Sequence, residues 1–426
     1  MIGATGRLAW PGEAEMGNTA TLAPLTSSER LDSLDVLRGV ALLGIALMNV
    51  EYFTAPLMDM SEGIATGGSG LDRLADAFVY VFVRGKFWTL FSLLFGMGFA
   101  VMLGRARDAG RDFVPLYLRR TFGLLLFGLV HAWLIWSGDI LVSYALTALV
   151  LLLFFRDTPV DRTWKWGAGI WAVLVGVMLL VGAMMAMGDG VTDPNAAESA
   201  ATIAALREAE IAAYSGGSYA EATAMRLRYF VHALGFNAFL VPLVLGMFLV
   251  GGWLVRSGAM ARPLDHRQLF TRLAWIGGLG GLALTAASVA VNANPGTAGE
   301  LPPDAMLAMA LHMAGSPLMA LAYIAIVVLA LQHGAGWLRA LAPAGRMALT
   351  NYLTQSVIGT LVFYGYGLGL WGQVPRAGQV LVVVVVFVLQ LLASRWWLAR
   401  FRYGPLEWSW RAFTYWQVPP LRRVAP

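Results

Sequence analysis

The sequence predicts an all-α fold, a polytopic membrane helix bundle of about ten transmembrane helices with both termini cytoplasmic. Three observations carry this. The chain is 58% hydrophobic and only 13% charged, where soluble domains carry about 25% charged residues. Several segments run roughly 18 residues or more without an interior charge, long enough to cross about 30 Å of hydrocarbon as helix. The basic residues fall in alternate connections between these runs, as the positive-inside rule requires. Strand-period alternation is absent, which argues against a membrane β-barrel.

Taken in order, residues 1–29 are rich in Gly, Ala, Thr and Ser with no apolar signal-like run and are expected to form a disordered cytoplasmic tail. Apolar runs predict spans over 36–54, 86–104, 116–135, 139–155, 166–187, 231–255, 272–292, 305–331, 347–370 and 378–397. Residues 71–84 read as a separate helix feeding the second span, with a break at Arg84-Gly85-Lys86; one long kinked helix is the alternative. The expected division is an N-terminal five-span bundle (30–187), an insert (188–230), a C-terminal five-span bundle with an interfacial end (231–411) and a short tail (412–426).

Orientation follows from the loops. Arg105, Arg107, Arg111, Arg156, Arg162, Lys165, Arg256, Arg262, Arg267, Arg339, Arg346, Arg400 and Arg402 all reach one side if the spans alternate, and that side is the cytoplasm. The opposite connections lean acidic, with Glu51, Asp59, Glu62, Glu300 and Asp304. The insert 188–230, with Asp189, Asp193 and Glu198, then lies outside the cytoplasm as two short helices broken at Gly216-Gly217. Loops of that length are often functional, and a plain surface cap is the alternative. The net charge of +5 is a topology signal, so no nucleic-acid partner is expected. No cysteine is present, which excludes thiolate chemistry and disulfides.

Five constellations stand out. In Arg30–Gly39, Asp35 and Arg38 share a helix face, as an interfacial ion pair or as a cytoplasmic anion site. Asn49 closes the same apolar helix, where a polar amide needs a partner. His131 precedes and Asp139 follows a tight turn at Ser137-Gly138, so a helical hairpin can join them; an aspartate beside a histidine orients a general base, and a structural hydrogen bond is the alternative. Arg84 and Lys86 flank the break before the second span, as snorkelling side chains or as a basic rim for an anionic substrate group. Arg346, Thr350, Asn351 and Gln355 form a polar stripe, for interhelical hydrogen bonds or for a ligand. Arg400 to Arg411 mixes arginine with aromatics, as at a membrane interface. His131, His232 and His312 all fall toward outer helix ends, but no pair has i, i+4 spacing and no metal is expected.

These segments, in this order, resemble the YeiB family of bacterial inner-membrane proteins, whose C-terminal half is a domain of unknown function. The resemblance runs from Arg30 to Arg411 and rests on Lys86-Phe87 through Phe91-Ser92-Leu93-Leu94-Phe95-Gly96, Gly138-Asp139-Ile140-Leu141, Gly345 to Tyr352, and Gly404-Pro405-Leu406-Glu407-Trp408. It implies a multi-pass protein of the bacterial inner membrane. The opening Asp35, Arg38, Gly39 and Asn49 is also similar to the heparan-glucosaminide acetyltransferase group of the transmembrane acyltransferase superfamily, which implies an acyl donor entering from the cytoplasm and an acceptor approached from outside. That group carries its active histidine in the loop after the first helix, and residues 54–71 here contain none; His131 would supply the base instead.

The leading expectation is a membrane acyltransferase. Acyl-CoA or a similar thioester would bind at Arg38, Arg119, Arg120, Arg346 and Asn351, because arginine pairs with phosphate bidentately. His131 would deprotonate a small-molecule, glycan or lipid acceptor, Asp139 would orient it, and Asn49 would stabilise the oxyanion. Partners are the bilayer and the acceptor, with a homodimer compatible. The competing readings are a transporter or flippase with His131 and Asp139 as a proton relay, and a non-catalytic scaffold whose insert binds a partner.

Overall fold

The computed structural model describes residues 32–57, 63–64, 68, 70–187, 196–293 and 303–423. The expected tail 1–29, the loop acids Asp59, Glu62 and Glu300, and Asp189 and Asp193 of the insert lie outside the described residues.

The elements, in order, are α1 (Asp32–Asn49), α2 (Gly70–Phe82), α3 (Lys86–Asp108), α4 (Phe113–Val130), α5 (Leu141–Val150), α6 (Val160–Ala186), α7 (Ala196–Ser215), α8 (Tyr219–His232), α9 (Leu234–Arg256), α10 (Arg267–Arg272), α11 (Gly278–Val291), α12 (Pro303–Gln332), α13 (Ala342–Arg346), α14 (Ala348–Phe363), α15 (Arg376–Arg400) and α16 (Pro405–Tyr415). One π-helical turn, His131–Ile135, extends α4, another, Leu151–Phe155, extends α5, and a third, Leu273–Gly277, joins α10 to α11. Among the described residues no strand pairs into a sheet.

Among the described residues, seven stretches are long and apolar enough to cross a membrane: 70–108, 113–135, 160–186, 239–256, 267–291, 304–332 and 376–400. The chain is a multi-pass membrane protein. The other three expected spans correspond to α1, to α5 with its π turn, and to α14, which are shorter or, in α1, carry Asp32, Asp35 and Arg38. Length and hydropathy therefore support seven spans, and the count of about ten rests on those three.

Backbone approach organises the centre, where lipid offers no hydrophobic drive between helices and small residues permit close packing. A Cβ on Gly96 would strike the Phe248 carbonyl and one on Gly251 the Leu93 carbonyl, so α3 and α9 cross backbone to backbone. Their membrane-crossing stretches are each 61% buried, whereas that of α6 is 11% buried and lies at the periphery. A Cβ on Gly345 would strike the Asp35 carbonyl, which docks α13 on the first turns of α1. The chain breaks between α2 and α3 at Gly85, whose φ of 78° lies in the left-handed region open to glycine.

Polar contacts sort to two ends. Where α1 begins, Arg107 pairs with Asp157, Arg256 donates to the Thr158 carbonyl, Arg120 covers Trp410 and Arg339 lies 3.9 Å from Asp32. Where α1 ends, Glu51, Asp76, Arg84 and Arg376 gather, and α7 and α8 pack over the adjoining loops.

Candidate active site at the His131 turn

Residues 131–135 wind as a π turn and Trp136 then turns extended, at φ −158° and ψ 132°. π turns inside α-helices recur at functional sites, because the extra residue widens the helix and frees carbonyls. The wide turn carries His131 inward: its side chain is 0% exposed and that of Asp139 3%. His131 Nδ1 lies 2.7 Å from Asp139 Oδ1. The other carboxylate oxygen, Oδ2, accepts from the Val142 backbone N–H at 2.8 Å. Held at both oxygens, the carboxylate accepts from Nδ1–H and leaves the lone pair on Nε2. That Nε2 is buried with no hydrogen-bond partner among the described residues.

Aromatic rings enclose the imidazole. Tyr352 lies 5.1 Å and Trp136 6.0 Å away between centroids. The Trp136 indole N–H is itself buried without a partner among the described residues. An acceptor and a donor, each without a partner among the described residues, thus lie on neighbouring rings in a buried wall. A Cβ on Gly138 would strike the Trp136 ring, so the glycine of the turn is what lets the indole pack there.

The insert covers this turn. The Leu134 carbonyl, released by the π geometry, accepts from Tyr219 Oη at 2.8 Å and from Arg226 Nη1 at 3.0 Å. Ser137 Oγ and Tyr214 Oη lie 2.9 Å apart, and Tyr214 stacks on Tyr364 at 4.4 Å. Arg226 is fully buried; its Nη2 donates to Tyr366 Oη at 2.8 Å. In α8, Ser218 and Glu221 form a reciprocal capping box that starts the helix carrying Tyr219 and Arg226.

The other expected site residues fall into separate groups. Asn49 is buried at the end of α1, makes no side-chain hydrogen bond to the described residues, and lines a neighbouring cleft rather than bonding to His131. Arg38 pairs with Asp35 at 2.8 Å and remains part-exposed. Arg120 lies 3.9 Å over the Trp410 ring, within electrostatic range of Arg38 and Arg411. Arg119 donates to the Pro115 carbonyl, and Arg346 is half-buried at the end of α13. The amide of Asn351 is engaged by the Ala344 carbonyl at 3.1 Å and by Ser394 at 3.0 Å, an interhelical role. Thr350 and Gln355 of the same stripe bond to Glu407 and Gln390.

Arg84 and Lys86 do not form an open rim. Arg84 pairs with Glu51, and Lys86, fully buried, donates to the Tyr80 carbonyl at 3.1 Å and lies 3.3 Å from His312 Nε2. The three histidines are apart in role: His131 bonds Asp139, His312 lies by Lys86, and His232 is exposed.

Several residues here went unread in the sequence. Arg376 pairs with Glu51 at 2.9 Å and with Asp76 at 3.2 Å, making a buried four-membered network with Arg84. Its signal was a lone arginine opening a span from the acid-leaning side. Glu407 accepts from Thr350 N at 3.0 Å and from its hydroxyl at 2.6 Å, and burial pushes its carboxyl above the ordinary range against those two hydrogen bonds. Arg226 carried no spacing signal at all.

Residues 254–417 match a family model described as a protein of unknown function, DUF418. Over 423 residues, 95% of this chain and 99% of the relative, the chain is 34% identical to the uncharacterized protein YxaH of Bacillus subtilis (strain 168). It is 32% identical over 396 residues to the uncharacterized protein YeiB of Escherichia coli (strain K12), covering 91% of this chain and 96% of the relative. A 39.9 kDa protein in the amylase 3′ region of Bacillus acidopullulyticus is 27% identical over 401 residues.

Proposed function

The chain belongs to the YeiB family, and from that premise we propose that it is an acyltransferase of the bacterial inner membrane, working through His131. The observation that carries this reading is the 2.7 Å contact between His131 Nδ1 and Asp139 Oδ1, with Nε2 left free in a buried wall. A carboxylate-oriented imidazole with an open nitrogen is the usual form of a general base. Nε2 takes the proton of an acceptor hydroxyl or amine as that atom bonds to the thioester carbonyl carbon. Collapse of the tetrahedral intermediate breaks the carbon–sulfur bond, and the departing thiolate receives the proton from Nε2.

The Trp136 indole N–H, buried, unpaired and beside the imidazole, is the donor available for the developing oxyanion. Asn49, expected in that role from the sequence, opens onto the next cleft instead. The donor is acyl-CoA or a similar thioester with its phosphates at Arg38, Arg120 and Arg411, which cluster at the far end of α1 and α4.

The deciding experiment is single-turnover transfer from a radiolabelled acetyl-CoA in purified, detergent-solubilised protein. Thioester loss in the parent and none in His131→Ala at equal fold supports the reading; equal loss in both sinks it. A transporter is the second reading, favoured by the ion-paired charges of Glu51, Asp76, Arg84 and Arg376, two of them buried, since ionisable groups among membrane helices mark transport paths. Proton-coupled flux in proteoliposomes without thioester turnover would select it.

A further inference from the structure

A shallow cleft opens between α1, α14 and α15, with about 40 Å³ of enclosed space. Its walls are apolar, with Val50, Phe53, Gly359, Val382 and Val386 among them. Ile358, Val362, Val382 and Val386 are partly exposed and make the mouth. That mouth continues onto the outward face of α15, where Leu381, Val385, Val388 and Leu392 are 47–63% exposed and meet acyl chains in a membrane protein.

Three polar residues break this apolar lining: Asn49, Gln355 and Ser356, whose hydroxyl is turned to the Tyr352 carbonyl at 3.5 Å. Asn49 is 9% exposed, lines the cleft and makes no side-chain hydrogen bond among the described residues. Gln355 donates its Nε2 to Gln390 Oε1 at 2.9 Å, while its own Oε1 is buried and unpartnered. The orientation of that side chain is fixed by its neighbour: Gln390 Nε2 donates to the Asn351 carbonyl and to Thr354 Oγ1, so Gln390 Oε1 can only accept. The cleft therefore offers a donor, from Asn49, and an acceptor, at Gln355 Oε1. An unmet buried polar group is costly, and more so in hydrocarbon than beside water. A plain acyl chain would meet neither. A hydroxyl can pair with either, accepting from the Asn49 amide or donating to Gln355 Oε1.

We propose that this cleft binds a single-chain lipid bearing a free hydroxyl at the head of its chain, with the hydroxyl between Asn49 and Gln355 and the chain running out along α15. The binding needs no turnover at His131, so it stands apart from acyl transfer. It lies one layer from the imidazole, since Phe53 of the cleft wall packs on Trp136 at 4.5 Å.

The test is photolabelling of the purified protein with a 1-monoacylglycerol carrying a diazirine in its chain, read by peptide mass spectrometry. Label is expected on residues 355–363 and 379–386, displaced by excess monoacylglycerol and not by the methyl ester of the same fatty acid. Asn49→Leu and Gln355→Leu should each lower that label roughly tenfold, the scale of one buried hydrogen bond, leaving label around Val388 and Leu392 unchanged. Ala46→Phe, which narrows the cleft without altering either amide, should remove the same label. Equal displacement by the methyl ester, unchanged label in both leucine variants, or label confined to the outward face of α15 would overturn the proposal.

Discussion

His131 and Asp139 are eight residues apart and joined by a 2.7 Å contact between Nδ1 and Oδ1, across a π turn. The carboxylate also holds the Val142 N–H, so it both starts α5 and orients the imidazole. If the pair is a general base, His131→Ala lowers single-turnover acyl transfer by roughly 10²–10⁴, the usual worth of a positioned base. Asp139→Asn keeps an acceptor for the Val142 N–H and costs less. Thermal unfolding in detergent checks that both variants are folded, and transfer rates checks the order of the two.

The arginines at the opposite end predict a different signature. Arg38→Ala and Arg120→Ala should weaken acyl-CoA binding by about 1.5–3 kcal/mol for each charged hydrogen bond lost, while leaving the rate at saturating donor near that of the parent. Equilibrium binding of the thioester separates the two effects. Parent-like affinity in both variants would return these side chains to topology signals alone.

What the sequence made legible, and what it hid, follows from range. The apolar runs and their basic flanks specify helices and ends through local composition, so the bundle could be read without coordinates. The dyad could be read because a tight turn at Ser137-Gly138 brings neighbours in the chain together. Arg376 could not be assigned, because its partners Glu51 and Asp76 lie 325 and 300 residues away. Arg84 and Lys86 looked like a rim because hydropathy shows charge at a break, whereas packing decides whether that charge faces water or a partner. Thr350, Asn351 and the Gln355 amide N–H of the polar stripe are likewise engaged with α15 and α16 through Glu407, Ser394 and Gln390.

Arg226 ties the insert to the turn it covers. Arg226→Ala removes donors from the Leu134 carbonyl and from Tyr366, leaving Tyr219 to hold Leu134 alone. The expected cost is about 1–3 kcal/mol, the range for stranding a buried polar group. Hydrogen exchange should rise in residues 196–232 and in 131–139 together. Arg226→Lys should not restore protection, because one ammonium cannot reach both acceptors as the planar guanidinium does. A rise confined to 196–232 would make the insert a cap with no hold on His131.

Glu407 gives a pH dependence of known sign. Burial raises its carboxyl above the ordinary value, so its contribution to stability is full below the unfolded value and is lost as pH rises through the folded one. The melting temperature in detergent should therefore fall, as pH rises above the ordinary carboxylate range, more steeply in the parent than in Glu407→Gln, which cannot ionise. The Thr350 hydrogen bonds act against the shift, so Thr350→Val should steepen the fall. Identical slopes in parent and Glu407→Gln would place the pH dependence elsewhere.

Topology decides which face each site serves, and it can be read without any activity. The connections holding Arg107, Arg156, Arg256 and Arg339 meet at the end where α1 begins, and basic connections of this length stay on the cytoplasmic side. The insert packs at the other end, against Leu134 and Ser137. Phosphatase and fluorescent-protein fusions at residues 110 and 260 should therefore report the cytoplasm, and a fusion at 205 the outside. With that orientation, Arg38 and Arg120 face a cytoplasmic donor while His131 lies under an external cap, and an acyl group must travel along α1 to meet its acceptor. A cytoplasmic report at 205 would put the insert and His131 on the donor's own side, remove the need for passage through the bundle, and reverse the roles given to the two ends.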